Sequence, residues 1–358
     1  MRLSILTMCC DKDWQRMSQL INNISAVFND TNKSFTDYEI IIADNRDKYK
    51  DEPVTWSEQE HTIVLPNDPK RVQYIARRQQ TELCTGNYIW FVDGDDLIVN
   101  IPEVYEPVDI IGFPYFMGTD ETTTAIDTLY TRDDVTIKPG LSITGTKYSD
   151  KGFTQEADTY IMGSAIMLWP KIIKKSVVEA ALEILPAGLE IISGEDLLLW
   201  VACLSVAKSI YNYKKPCYFY NCADSLNHKP TFTFEQYSRM IKGVDDSFNI
   251  LHDLVEKGKI YCTDKWINVA ARNHCYIFAG KLLLVKDPDE RAEAAKLLLS
   301  IFDSRTIETS ILRYYLNMGI SDRRTVIRTL LELDRLLSEG APMEPSLAYL
   351  IEELGYGN

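Results

Sequence analysis

Tyr88-Ile89-Trp90-Phe91-Val92-Asp93-Gly94-Asp95-Asp96 decides how this chain is read, because an apolar run passes directly into three carboxylates spaced by a single glycine. The apolar half has the bulk and length of a strand buried on both faces. The acidic half sets Asp93, Asp95 and Asp96 at the end of that strand, where they repel one another unless a cation is shared among them. Hard oxygen ligands that leave room for water and phosphate oxygens suit Mg²⁺ or Mn²⁺. An Asp-Gly pair is equally a tight-turn signal with solvated acids, so the segment alone leaves both readings open.

Upstream, residues 3–8, 39–43 and 62–65 are short apolar runs, and residues 14–28 and 71–83 repeat apolar side chains at helical spacing. Strands this apolar, alternating with helices, predict an α/β domain with a mostly parallel sheet covered on both faces. Ligands in such sheets collect at the carboxyl ends of the strands, which here carry Asp11, Asp44, Asn67 and the Asp93 cluster. No glycine precedes Gly86. Dinucleotide-binding dehydrogenases and P-loop kinases need glycines in the turn after the first strand and are therefore excluded. A sugar nucleotidyltransferase is disfavoured on the same ground.

The chain has 358 residues and a net charge of -14. The length predicts a large catalytic domain with a smaller appendage. The charge argues against nucleic acid or an anionic membrane as partner, since both are polyanions and no long basic run offers local relief. Eight cysteines without a CxxC pair, no apolar leader and no apolar run near the ~20 residues of a membrane helix predict a reduced, cytoplasmic chain with no transmembrane segment. Cys217, Cys222 and His228 lack both a zinc-finger spacing and a fourth ligand, so buried free thiols are expected.

A second constellation is Gly194-Glu195-Asp196, followed at once by Leu197-Leu198-Leu199-Trp200-Val201-Ala202. Acids in a first helical turn stabilise the helix dipole by ~0.3 to 1 kcal/mol and need no further role. One of them could equally be a general base at the mouth of a pocket.

Taken together, the motifs resemble an inverting glycosyltransferase of family two with the GT-A fold. The likeness runs through Asp44 closing Tyr38-Glu39-Ile40-Ile41-Ile42-Ala43, then Ala76-Arg77-Arg78, then Thr85-Gly86-Asn87 leading into the Asp93-Gly94-Asp95-Asp96 cluster, a DxD motif. It continues in Trp169-Pro170-Lys171-Ile172-Ile173-Lys174-Lys175, in Gly194-Glu195-Asp196-Leu197-Leu198, and in Cys217-Tyr218-Phe219-Tyr220 with Ser225. It spans residues 1 to about 228 and gives nothing from 231 onward.

The resemblance implies a Rossmann-like GT-A catalytic domain over residues 1–230, and the helical pattern beyond it predicts an all-helical domain over 231–358. It implies a metal-dependent, hexosyltransferase-like enzyme using Mn²⁺ or Mg²⁺. Such an enzyme moves a sugar from a nucleotide-diphosphate sugar, UDP-sugar favoured, to a hydroxyl of a glycan, lipid-linked or protein acceptor. Asp44 and the backbone near Thr7 would then line the base pocket. Asp95 and Asp96 would hold ribose and metal, with Asp93 in support. Arg77 and Lys171 would contact phosphate, and Asp196 would deprotonate the acceptor with Glu195 orienting it. The chain departs from the family at Met8, Cys9 and Cys10, where a proline and an aromatic residue are usual, at Asn45, and at Arg78. These departures leave the choice among uridine, guanosine and thymidine open. A carbohydrate- or nucleotide-binding protein that retains the fold without turnover is the alternative of another class.

Residues 114–160 are polar and rich in Thr and Asp, fitting either a mobile lid or a surface insertion. Gly163-Ser164 would either approach the sugar or simply pack. From residue 234 the pattern is helical, with helices expected over 234–256, 263–285, 289–300, 306–316, 323–337 and 345–354. Trp266, Tyr276 and Phe278 read as core. Acceptor binding, docking to another protein and a homo-oligomer through these helices stay open.

Overall fold

The apolar runs become strands that hydrogen-bond in the order their burial demands. In the computed structural model, which describes residues 1–30, 35–104, 107–119, 122–126, 140–145, 166–222, 231–282, 284–302 and 307, β1 (Arg2–Cys9) lies between β2 (Asp37–Asp44) and β4 (Tyr88–Phe91). β3 (Thr62–Leu65) pairs outside β2, and all four are parallel. Leu3, Ile5, Ile40, Ile42 and Trp90 are fully buried, so each contributes ~1.5 to 3 kcal/mol of apolar burial.

Shorter strands complete two sheets: β5 (Leu97–Ile98), β6 (Ile110–Gly112), β7 (Tyr115–Thr119), β8 (Thr122–Ile126), β9 (Ser142–Gly145), β10 (Lys171–Lys174), β11 (Ser209–Asn212) and β12 (Tyr218–Asn221). The 8-stranded sheet runs β3-β2-β1-β4-β10-β6-β11-β9, and the 4-stranded sheet runs β5-β12-β7-β8. Among the described strands of the 8-stranded sheet only β10 breaks the parallel order, pairing antiparallel to β4 and β6 with Ile172 opposite Trp90 and Ile111. Its start therefore lies where β4 ends. That reversal carries the preceding residues, Met167 to Pro170, to the edge that holds the acidic cluster.

Among the described residues four helices belong with these sheets: α1 (Met17–Asp30), α2 (Gln73–Leu83), α3 (Lys175–Ile184) and α4 (Glu195–Val206). α1 begins later than its apolar spacing predicts, because Asp13 turns the chain first. Its carboxylate accepts the Cys10 N–H at 3.3 Å, and its own N–H donates to the Cys10 carbonyl at 2.9 Å.

The chain divides into two compact units, residues 1–228 with 249–266, and residues 229–248 with 267–358. Beyond β12 the described elements are helical: α5 (Phe234–Glu256), α6 (Asp264–Leu282) and α7 (Pro288–Ile301). Asp287 caps α7, accepting the N–H groups of Asp289 and Glu290, with Pro288 in the first turn. Trp266 and Phe278 are buried as expected, while the Tyr276 side chain, Gly163-Ser164, most of the segment 114–160 and the helices expected after residue 305, apart from Ile307, lie outside the described residues. None of the eight cysteines forms a disulfide; Cys217 is buried as expected, whereas Cys222 is only half-buried. No helix among the described residues is long and apolar enough to cross a membrane.

Candidate active site

Asp93 leaves β4 into a turn pressed against the end of β1. A Cβ on Gly94 would stand 2.7 Å from the Met8 carbonyl and 3.2 Å from Asp13 Cβ, so glycine is what lets the turn close. β12 then fixes it. Tyr218 Oη accepts the Asp93 N–H at 3.0 Å and donates to Asp96 Oδ2 at 2.7 Å, while the Asn221 N–H donates to Asp96 Oδ1 at 2.7 Å. Asp96 is thus buried with both oxygens engaged, and Asp93 and Asp95 remain turned to a cavity of about 490 Å³.

The opposite wall is the start of α4. Gly194 takes a left-handed conformation at φ 94°, which turns the chain into the helix and sets Glu195 and Asp196 in its first turn. The cap position itself, Gly194, offers no side chain to the helix. Both acids face Arg77. α2 brings Gln73, Ala76, Arg77 and Gln80 to the cavity at helical spacing, and the Arg77 guanidinium pairs with Asp196 and lies 3.6 Å from Glu195 Oε1. Gln73 bridges the pair, accepting from Arg77 Nη2 at 2.6 Å and donating to Glu195 Oε1 at 3.2 Å. The Leu168 N–H reaches Asp196 Oδ2 at 3.4 Å.

Burial sets the acidity of this cluster. The Glu195 carboxyl is pushed up to about 8 by burial and then by the Asp196 charge, against the pull of Arg77. Asp93 rises to about 7 through burial, Asp196 and Asp95, and Asp13 to about 6 through burial and Asp95, with Lys12 opposing. These carboxyls therefore hold a proton more readily than ordinary ones.

Aromatic rings make the next wall. Trp169 stacks on Tyr220 with centroids 5.2 Å apart and planes at 6°, and Tyr115 meets Trp169 edge-on at 4.5 Å. All three line the cavity with Met117 and Met167. The floor is Thr7, Met8 and Gln80, whose amide donates to the Thr7 and Ile41 carbonyls at 2.6 and 2.7 Å.

Of the residues singled out from sequence, Thr7, Arg77, Asp93, Asp95, Glu195 and Asp196 line the cavity, whereas Asp44, Asp96 and Lys171 do not. Asp44 is claimed by Arg46, two residues on, which donates to both its oxygens at 2.9 Å; burial works against ionisation, but these bonds hold its pKa down. Lys171 is fully buried on β10, donates to the Met167 carbonyl and lies 4.3 Å from the Trp200 ring. Burial pushes its pKa down to about 7. Arg77, for which a phosphate contact was expected, pairs with the Asp196 carboxylate and lies beside that of Glu195.

Lys12, Asp13, Gln73, Tyr115, Trp169 and Tyr220 also line the cavity, and sequence reasoning gave none of them a role. The charged triplet Asp11-Lys12-Asp13, one residue past β1, and the spacing of Gln73 from Arg77, were the available signals.

Among the described residues no three His, Cys, Asp or Glu side chains already form a metal-holding set. Asp93 and Asp95 still fit a Mg²⁺ or Mn²⁺ ion, because these ions take one or two carboxylates and complete their shell with substrate phosphates and water. Asp13 Oδ1, buried beside them, accepts no hydrogen bond, which leaves a further lone pair on the same side.

No family model matches this sequence, and no curated protein matches it. Solved structures do. S. aureus TarS 1-349 in complex with UDP-GlcNAc superposes with a TM-score of 0.52 at 14% identity, over 95% of this chain and 92% of that one. Its complex with UDP gives 0.53 at 14% identity over the same shares. Against a longer TarS chain the TM-score is 0.52 at 15% identity, over 91% of this chain but 55% of that one, so this chain spans little more than half its length. At such identities the likeness establishes the fold. It is the GT-A type, a mostly parallel sheet flanked by helices with a helical region after it.

Proposed function

We propose that this chain transfers a sugar from a nucleotide-diphosphate sugar to an acceptor hydroxyl, with inversion at the anomeric carbon and with a divalent cation. One observation carries the reading: the acids at the end of β4 and the acids at the start of α4, distant in sequence, face a single cavity. The cavity volume of about 490 Å³ suits a small-molecule ligand. Asp95 and Asp93 would hold the cation, which supplies charge neutralisation for the departing diphosphate.

The remaining chemistry is assigned to the chain's own groups. Asp196 accepts the acceptor's hydroxyl proton as the new oxygen–carbon bond forms and the bond from the anomeric carbon to the diphosphate breaks. Arg77 and the Leu168 N–H hold that carboxylate in place. Glu195, pushed up to about 8, keeps its proton at neutral pH and serves to orient. Thr7 and Met8 border the base, and the walls of Trp169, Tyr220 and Tyr115 offer ring faces to a sugar. That S. aureus TarS 1-349 was solved with UDP and UDP-GlcNAc supports a uridine donor over the other bases.

One observation favours a second reading, a nucleotide-sugar-binding protein without turnover: the Asp196 carboxylate is held in an ion pair with Arg77. A single screen separates the two. Incubating the protein with a panel of nucleotide sugars and Mn²⁺, and measuring release of nucleoside diphosphate, detects slow transfer to water without knowledge of the acceptor. Release from one donor supports the transferase; binding of a donor without release supports the second reading, and release of pyrophosphate with nucleotide-sugar synthesis identifies a nucleotidyltransferase.

A further inference from the structure

Lys12 occupies the place where the cation of the proposed reaction would be needed. Its ammonium lies 2.5 Å from Asp95 Oδ2 and 3.6 Å from Asp13 Oδ1, and the side chain is 44% exposed, so charge holds it at the edge of solvent. Lys12, Asp13, Asp93, Gly94 and Asp95 line the same stretch of the cavity. One ammonium faces three carboxylates there. Asp13, nine-tenths buried and more, keeps Oδ1 without a hydrogen bond, so the cluster has lone pairs to spare for a second cation.

Resting on the donor reading given above, we propose that Lys12 is a switch that makes the cation and the nucleoside diphosphate bind together. In the free protein the ammonium sits on Asp95 and competes with a divalent ion for that carboxylate. An arriving diphosphate offers the ammonium another anionic partner, since a lysine on a flexible stem pairs with phosphate as readily as with carboxylate. Its departure bares Asp95, and the diphosphate contributes the oxygens that complete the ion's shell. Each ligand thereby raises the affinity for the other, and by linkage the two factors are equal.

The experiment is a Mn²⁺ titration of the full chain, followed by electron paramagnetic resonance, with and without uridine diphosphate, for wild type, Lys12→Met and Lys12→Gln. Thermal melts confirm that each variant folds, and the exposed position gives two chances of one that does. The expected result is Mn²⁺ binding to the nucleotide-free variants about tenfold tighter than to wild type, the ratio expected from removing one competing charged hydrogen bond. Uridine diphosphate should bind the variants more weakly, and its coupling to Mn²⁺ should shrink. Equal Mn²⁺ affinity of nucleotide-free wild type and both variants overturns the proposal. Failure of wild type to bind any nucleoside diphosphate, tested across uridine, guanosine and thymidine, overturns the donor reading instead, and the nucleotide-free titration still reads whether Lys12 blocks Asp95.

Discussion

Tyr218 donates its phenol proton to Asp96 Oδ2 at 2.7 Å and accepts the Asp93 N–H at 3.0 Å, so one side chain on β12 holds both ends of the acidic turn. Removing the hydroxyl strands a buried carboxylate and a backbone donor together. Tyr218→Phe should therefore lose ~1 to 3 kcal/mol of stability, read as a lower urea midpoint at unchanged slope. A midpoint equal to wild type would show that the turn does not depend on this bond.

The two acids after Gly94 should part company in their effect on metal. Asp95 faces the cavity and Asp96 is spent on Tyr218 and Asn221. Asp95→Asn should abolish most of the Mn²⁺-dependent gain in nucleoside diphosphate affinity, whereas Asp96→Asn should leave it within a few-fold and lower the melting temperature. Calorimetric titration of both variants, with Mn²⁺ and with chelator, checks this. The reverse ranking would put Asp96 back in the metal shell.

Much of this site was legible before any coordinates, and the parts that were not share a cause. The end of β4 announces itself because acids follow an unbroken apolar run, and the start of α4 because acids come directly before one. The resemblance cast Asp44 as a base-binding acid, yet Arg46 turns back on it, and no spacing rule foresees a residue two positions on taking both oxygens. Lys171 shows the limit differently. Its strand runs antiparallel, so Trp169 reaches the cavity while Lys171 turns inward beside Trp200. Strand direction is decided by pairing across the sheet, which local sequence does not record.

Acidity gives a test of the α4 wall. Glu195 has its pKa raised from an ordinary 4.5 to about 8, so the folded state holds this proton more tightly than the unfolded chain. That contribution to stability is complete below the ordinary value and is lost as pH rises through about 8. Asp93, raised to about 7, and Asp13, raised to about 6, act in the same direction. The ligand-free protein should melt at progressively lower temperature from slightly acidic to slightly alkaline pH, and Glu195→Gln should flatten the slope. A steeper slope in the variant would contradict the assignment.

Asp196 is where structure and chemistry can be separated by one substitution. Gly194 occupies the cap position, and the Asp196 carboxylate is turned to Arg77 and the Leu168 N–H. Its role is either to clamp Arg77 or to take the acceptor's proton. Asp196→Asn keeps size and can still accept a hydrogen bond from Arg77. Glu195, relieved of the neighbouring charge that helps raise its pKa, becomes freer to ionise against the same guanidinium. Stability should therefore change little, and nucleoside diphosphate affinity should stay within a few-fold. If Asp196 is the base, transfer falls by ~10²- to 10⁴-fold, the usual share of a general base. If it is a clamp alone, the rate stays near wild type while Arg77→Gln, which removes the clamp from the other side, does the damage. Measuring melting temperature, affinity and single-turnover rate for both variants decides the matter, and a near-normal rate in Asp196→Asn takes Asp196 out of the chemistry.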